Sequence, residues 1–193
     1  MSLGALREEV WNTLARYDLA LHPTPPHGHH PNFKGARRAA ERLMSTPEFQ
    51  GAKVVLAGMD AVLKPLREAA LRAGKALILP HPDRPGEFLK VEGLDPRRLF
   101  RVREVSRYGQ PVDLAALAVD LVLVGAVAVD EEGGWVGKGY GFPQAWLEVQ
   151  APFATLAHPV MVYPRLPERE RTVQLIATPQ RLIRTGGPKG GLR

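Results

Sequence analysis

A glycine-rich stretch near residue 140 has the composition of an anion-binding loop. Its glycines, Gly137, Gly139 and Gly141, alternate with Lys138 and Tyr140. Because glycine lacks a Cβ atom, the backbone can approach a ligand closely and successive N–H groups can point at one anion. Lys138 adds a positive charge where a phosphate group would lie. The spacing therefore indicates phosphate binding, although a simple glycine-rich turn between a strand and a helix fits the same residues.

The residues after this loop are predicted to form a helix over 142–149. The N-terminus of such a helix presents unpaired N–H groups and a partial positive charge to the same anion. The pattern matches neither a P-loop nor a dinucleotide-binding fingerprint, so the motif alone is weakly specific.

The proline-rich stretch over 22–31 begins at His22 and contains three further histidines close together, His27, His29 and His30. Imidazole is the commonest metal ligand in proteins, so a metal site is one interpretation of this stretch. Two of the histidines are adjacent, however, and the flanking prolines favour a rigid surface loop. We therefore predict a surface loop here and no metal site.

Four further side chains have both a functional and a structural interpretation. Lys34 and Arg37, near a predicted helix start at Asn32, are suited to hold an anion or to be solvated bases on a capped helix. Asp60 follows a predicted strand and suits a magnesium or ribose contact, but a helix cap is favoured. Trp11 occupies an apolar helix position and is predicted to be a core residue.

The composition is that of an ordinary globular protein, with 193 residues of which 45% are hydrophobic and 24% charged. This size suits one α/β domain over 1–193, and the glycine-rich residues 186–193 are predicted to be a flexible tail. The absence of cysteine excludes a disulfide framework and a thiolate metal site. No apolar run approaches the roughly 18 residues of a membrane span, and no signal peptide is recognisable. We therefore expect a cytoplasmic protein without a membrane partner.

The formal net charge of +6 indicates a basic surface. Such a surface raises the local concentration of nucleotides, polyglutamylated cofactors or nucleic acid, and does not choose among them. Arginines on a solvated face with partners one helical turn away are equally compatible. Nucleic-acid binding is thus a possible function, but no aromatic RNA-binding motif supports it.

The elements that must position these residues alternate along the chain. Helices are predicted over 3–21, 34–44 and 63–73, and strands over 54–57, 76–79, 121–124, 126–129, 160–162 and 173–177. Short strands that are apolar along their whole length predict a mostly parallel sheet in a three-layer α/β/α domain. In open α/β sheets ligands bind beyond the carboxyl ends of the strands. The segments expected at the site are therefore those that follow the predicted strands, namely residues 58–60, 81–84, Gly125, 133–141, 163–165 and 178–179.

The order of these segments resembles the 5-formyltetrahydrofolate cyclo-ligase family along nearly the whole chain. In that family, as here at Asp120, an aspartate opens a strand and a glycine-rich loop follows closely. The sequence is similar in particular to a divergent branch, the methenyltetrahydrofolate synthase domain-containing proteins. The hallmarks of this branch are present as Arg-Glu-Glu-Val-Trp over 7–11, Pro-Asn-Phe-Lys-Gly-Ala over 31–36 and Gly-Lys-Gly-Tyr-Gly over 137–141.

The resemblance implies a cyclo-ligase-like α/β fold and a reaction. Members of the family use ATP and Mg²⁺ to convert 5-formyltetrahydrofolate into 5,10-methenyltetrahydrofolate. By this resemblance the nucleotide-binding residues are Arg7, Gly137, Lys138, Gly139, Tyr140 and Gly141, of which Lys138 is the catalytic cation. Phe33 and Lys34 are predicted to bind the substrate. A small-molecule nucleotide and a folate are accordingly the expected partners.

Several positions depart from the family pattern. Residues 142–145 are Phe-Pro-Gln-Ala where typical cyclo-ligases have two tyrosines, an aspartate and an arginine. Leu3 replaces a lysine of the first helix, and Tyr140 replaces the middle glycine of the loop. The loss of one carboxylate and two cations weakens a site that must hold ATP and magnesium. The alternative prediction is therefore a relative that binds a nucleotide or a folate without turnover.

Overall fold

The computed structural model describes residues 1–99, 101, 103–140, 146 and 148–185. The helices are α1 (Leu3–Arg16), α2 (Ala36–Met44), α3 (Pro47–Gly51), α4 (Lys64–Arg72) and α5 (Glu104–Tyr108). Short 3₁₀ helices cover Ala61–Leu63, Pro96–Leu99, Leu114–Ala116 and Pro159–Met161. The strands are β1 (Ala20–Leu21), β2 (Asn32–Phe33), β3 (Val54–Ala57), β4 (Ala76–Pro80), β5 (Phe88–Val91), β6 (Gln110–Val112), β7 (Leu121–Leu123), β8 (Ala128–Asp130), β9 (Gly134–Val136), β10 (Phe153–Leu156), β11 (Val162–Tyr163), β12 (Arg171–Thr172), β13 (Leu175–Ala177) and β14 (Leu182–Arg184).

The central sheet has eight strands in the order β14-β13-β10-β7-β3-β4-β5-β6. The five strands from β13 to β4 run parallel to one another. The strands β14 on one side and β5 and β6 on the other are antiparallel to their neighbours. The parallel strands are buried along nearly their whole length. The predicted α/β fold with a mostly parallel central sheet is thus confirmed.

Helices α2 and α4 contact each other and cover part of this sheet. Helix α2 packs against β10 and β13, and α4 packs against β4. The buried residues of α2, namely Ala36, Ala39, Ala40 and Leu43, recur at intervals of three or four and so form one apolar face. In the described part of the chain no helix is both long enough and apolar enough to cross a membrane.

A second sheet of four strands, in the order β11-β8-β9-β12, contains the second half of the strand predicted over 126–129, since β8 begins at Ala128. After Gly125 the chain leaves the central sheet, and the N–H group of Val127 donates to the carbonyl oxygen of Val136. The prediction of a strand over 160–162 is largely wrong. Pro159–Met161 form a 3₁₀ helix whose N-terminus is capped by His158, and only Val162 begins a strand.

Two of the predicted helices are shorter than expected, because a residue with a positive φ angle lies beside one end of each. Helix α1 ends at Arg16, because Asp18 adopts a φ of 54° and the chain then pairs in β1. Helix α2 begins only at Ala36, since Gly35 has a φ of 96° in the left-handed region. Lys34 therefore precedes the helix and is not part of its first turn.

The carboxylate of Asp120 connects the starts of two parallel strands. Its Oδ2 atom accepts hydrogen bonds of 2.9 Å from the backbone N–H groups of both Lys53 and Val54. These backbone hydrogen bonds lower the pKa of Asp120 below its ordinary value of 3.8. The aspartate that carries part of the family resemblance is therefore a structural residue at the amino ends of β3 and β7.

We predict that Asp120→Ala lowers the free energy of unfolding by about 1–2 kcal/mol, a modest loss because this carboxylate is exposed to water. Urea denaturation at several pH values provides the measurement. The folded-state pKa is depressed, so the contribution is complete above pH 3.8 and is lost as the pH falls through the folded-state pKa. Asp120→Asn keeps an acceptor and should lose less. Equal stability of wild type and Asp120→Ala at neutral pH would contradict this assignment.

Candidate functional site

A cavity of about 460 Å³ lies at the carboxyl ends of β3, β4 and β7. Its walls come from residues 58–61 after β3, Pro80 at the end of β4, residues 124 and 125 after β7, and from His30, Lys138 and Trp146. This is the position at which an open α/β sheet binds its ligands, and the volume suits a small molecule. A larger cavity of about 560 Å³ lies beside β5 and β6, but it contains none of the predicted site residues.

The glycine-rich loop is held at Gly137 by two charged side chains. The Gly137 N–H group donates to Oε1 of Glu170 at 2.9 Å, and its carbonyl oxygen accepts from Nε of Arg7 at 2.7 Å. Arg7 and Glu170 also form an ion pair of 3.0 Å. The structure thus brings Arg7 to the loop, as predicted, but its guanidinium binds a carbonyl group and a carboxylate of the protein.

Lys138 lies on the cavity wall with its side chain against Tyr140. The Nζ atom of Lys138 is 4.7 Å from the centroid of the Tyr140 ring, a cation–π arrangement. The Tyr140 hydroxyl donates to the carbonyl oxygen of Gly28 at 2.5 Å, although the residue is 60% exposed. The glycine-rich loop is thereby joined to the histidine-containing loop at the edge of the cavity.

The first two N–H groups of the predicted anion-binding loop already have acceptors within the protein. The Gly137 N–H group donates to Glu170, and the Lys138 N–H group donates to Nε2 of His30 at 3.2 Å. Gly139 has a φ of 100°, which explains the glycine at this position. Gly141 lies outside the described residues, as do most of the predicted helix over 142–149 and the predicted tail over 186–193.

His30 connects Lys138 to Asp60 across the cavity. Its Nδ1 atom is 3.3 Å from Oδ1 of Asp60. Because the backbone N–H group of Lys138 can only donate, Nε2 of His30 must be the acceptor and Nδ1 must carry the proton. The side chain of His30 is only 10% exposed, so the interpretation of a surface loop is wrong at this residue. His27, by contrast, makes an exposed hydrogen bond of 2.7 Å with Asn12.

Asp60 remains ionised in this setting. Burial raises the pKa of Asp60, but the hydrogen bond from His30 and the positive charges of Lys138 and Arg67 outweigh burial, so the pKa lies below 3.8. Asp60 occupies the N-cap position of the Ala61–Leu63 helix, but its side chain makes no capping hydrogen bond. The helix-cap interpretation of this side chain is therefore wrong.

Arg67 of α4 supports the loop that carries Asp60. Its Nη1 atom donates to the carbonyl oxygens of Gly58 at 2.9 Å and of Asp60 at 2.8 Å. Burial lowers the pKa of Arg67 to about 10, so the guanidinium is still charged at neutral pH. Helix α4 thus fixes the floor of the cavity through backbone contacts.

The two predicted substrate-binding residues lie away from the cavity. Lys34 is more than half exposed and pairs with Asp18 at 3.1 Å. Phe33 is completely buried and packs edge-on against His158, with ring centroids 5.8 Å apart. Their proposed roles stay predictions that this geometry does not support. Trp11 is a core residue, as predicted, and its Nε1 also donates to the carbonyl oxygen of His29 at 3.0 Å.

We predict that Gly137→Ala destabilises the protein by about 1–3 kcal/mol, since the new Cβ atom would overlap the Trp135 ring, which belongs to the core. Thermal and urea denaturation provide the measurement. Gly51→Ala is the matched control, because a Cβ atom there has no neighbour within 4 Å. The control should leave stability unchanged or raise it slightly. Similar effects of the two substitutions would show that Gly137 is not required by packing.

The fold and the cavity define an α/β domain with a ligand site at the strand ends, bordered by a glycine-rich loop. Comparison with known families gives this class its name. A model of the 5-formyltetrahydrofolate cyclo-ligase family matches residues 5–179. The chain therefore belongs to this family, and the resemblance inferred from the sequence is confirmed.

Similar proteins include methenyltetrahydrofolate synthase domain-containing proteins of two mammals. The Bos taurus protein is 34% identical, over 94% of this chain and 53% of its own length. The Mus musculus protein is 33% identical, over 96% of this chain and 56% of its own length. The chain thus spans about half the length of the curated relatives it matches.

Two solved structures share the fold. The NMR structure of a 5,10-methenyltetrahydrofolate synthetase from Aquifex aeolicus has a TM-score of 0.66 and 24% identity, and covers 95% of this chain and 93% of its own. A 5,10-methenyltetrahydrofolate synthetase from Mycoplasma pneumoniae has a TM-score of 0.55 and 12% identity, and covers 92% of this chain and 98% of its own. At these identities the likeness concerns the fold alone.

Proposed function

We propose that this chain is an ATP-dependent enzyme of the cyclo-ligase type, which converts 5-formyltetrahydrofolate into 5,10-methenyltetrahydrofolate. The observation that carries the proposal is the position of Lys138 on the wall of a cavity at the carboxyl ends of β3, β4 and β7, in a chain of this family. Met59, Pro80 and Trp146 give the same cavity apolar walls that suit an aromatic ring system.

In the proposed reaction the formyl oxygen of the folate receives the terminal phosphoryl group of ATP. The N10 amine then attacks the formyl carbon, the carbon–oxygen bond to the phosphate group breaks, and phosphate leaves as the ring closes. The Lys138 ammonium would stabilise the negative charge that develops on the transferred phosphoryl group. Arg7 would act on the phosphates only after exchanging its contacts with Gly137 and Glu170.

Magnesium fits this site only as a companion of the nucleotide. Among the described residues that line the cavity, Asp60 is the one carboxylate, and one of its oxygens already faces His30. No group of three or more His, Asp or Glu side chains that suits a metal ion occurs in the described part of the chain. Mg²⁺ often takes one or two carboxylates and completes its shell with phosphate oxygens and water. Bound in this way, it would neutralise phosphate charge.

A second candidate function is ligand binding without turnover. The observation that favours it is the occupation of the Gly137 and Lys138 N–H groups by Glu170 and His30, which leaves fewer donors for phosphate. The presence of Gln144 where typical cyclo-ligases have an aspartate points in the same direction. Phosphate release dependent on folate distinguishes the two candidates.

We predict that Lys138→Ala lowers kcat/KM by at least about 100-fold, since it removes a cation from the transferred phosphoryl group. The measurement is a coupled assay of the purified protein with MgATP and 5-formyltetrahydrofolate, following methenyltetrahydrofolate absorbance and phosphate release. Lys53→Ala is the matched control, because this exposed lysine lies at the opposite end of β3 and should leave the rate unchanged.

The outcomes separate the two candidates. Folate-dependent turnover that Lys138→Ala abolishes would support the cyclo-ligase reaction. Binding of MgATP by calorimetry without any turnover would refute that reaction and support the binding function. Absence of turnover, of MgATP binding and of 5-formyltetrahydrofolate binding would refute both candidates.

A further inference from the structure

We infer that His30 is a positioning residue, which in its neutral form holds the Lys138 segment against the carboxyl end of β3. Its effect on chemistry rests on the proposed function of Lys138, but the link itself is a property of the fold. His30 accepts from the Lys138 N–H group through Nε2 and faces Asp60 through Nδ1. The imidazole thus connects the glycine-rich loop to the loop that follows β3.

The imidazole is fixed by packing as well as by hydrogen bonds. A Cβ atom at Gly125 would lie 2.5 Å from Cβ of His30, so only glycine leaves space for this ring to approach β7. The Trp135 ring lies on another side, with its centroid 6.0 Å from that of His30. The Trp135 Nε1 atom donates to the carbonyl oxygen of Gly125 at 2.9 Å, which fixes the two packing partners relative to each other.

The protonation state of His30 determines whether it can accept a hydrogen bond from the Lys138 N–H group. When Nε2 binds a proton, it becomes a donor and can no longer accept from the Lys138 N–H group. Asp60 faces the ring through Oδ1, Lys138 and Arg67 act electrostatically on Asp60, and His22 and His29 also line the cavity. Protonation of His30 would therefore break its hydrogen bond with the Lys138 N–H group.

His30 would affect the reaction by fixing the position of Lys138, and for this it need not touch the substrate. The hydrogen bond is made to the backbone of Lys138, so it sets where the side chain of Lys138 starts. A small displacement of a group that acts in the transition state lowers kcat more than it raises KM. His30 should therefore affect turnover through Lys138.

The first test uses NMR on the full chain and needs no ligand. When the pH is varied across the protonation of His30, the Lys138 amide resonance should shift with the same midpoint as the His30 ring resonances. In His30→Gln, whose amide oxygen can accept the hydrogen bond but does not titrate, the Lys138 amide should be independent of pH. His27→Gln is the matched control, because His27 lies in the same loop but outside the cavity walls, and it should retain the wild-type titration. A Lys138 amide that ignores the His30 titration, or that titrates unchanged in His30→Gln, would overturn the inference.

The second test uses the reaction itself. His30→Ala should lower kcat by at least about tenfold with the KM for ATP changed by less than about threefold, and His30→Gln should restore part of the loss. His27→Ala should behave as wild type. Unchanged kcat in a folded His30→Ala protein would overturn the inference. If the wild type shows no turnover, the proposed function fails, but the NMR titration still decides whether His30 positions Lys138.

Discussion

The arrangement of this molecule depends on five parallel strands that are buried along nearly their whole length. Such strands leave no place for charged side chains except at their ends, so the charged groups of the cavity lie where β3, β4 and β7 finish. The residues after those strands, Asp60 and Gly125 among them, meet the glycine-rich loop there. The opposite end of the sheet is equally ordered but serves stability, as the contacts of Asp120 show.

The charged groups around the cavity are arranged mainly as internal partners. Glu170 neutralises Arg7 and binds the loop backbone, and Asp60 faces His30 while Arg67 supports its carbonyl group. Lys138 differs from them, because its ammonium contacts the face of an aromatic ring. A cation on an aromatic face loses less when it turns to a phosphate than a cation that must leave a carboxylate. This difference, and not the number of basic residues, is the reason that Lys138 is the cation proposed to bind a phosphate group.

The sequence predicted the parts of the fold that depend on local pattern. Strand β3 was correct to the residue, since four consecutive apolar residues between Lys53 and Gly58 suffice to define a buried strand. The contacts that shape the site were not predictable in this way. Glu170 reaches Gly137 across 33 positions, and nothing near Glu170 marks it as a loop anchor. The tautomer of His30 depends on a backbone donor 108 positions away. Asp60, by contrast, had a signal, its place shortly after the end of a strand.

The packing around Gly137 has a consequence for the evolution of this family. The Trp135 ring occupies the space that a side chain would need, so a stable fold requires the glycine whether or not any phosphate binds. A lineage that gave up catalysis would lose carboxylates and cations quickly, yet its glycines would persist for as long as the protein had to fold. Descendants with and without activity should therefore look alike at this glycine and differ at the charged positions beside it.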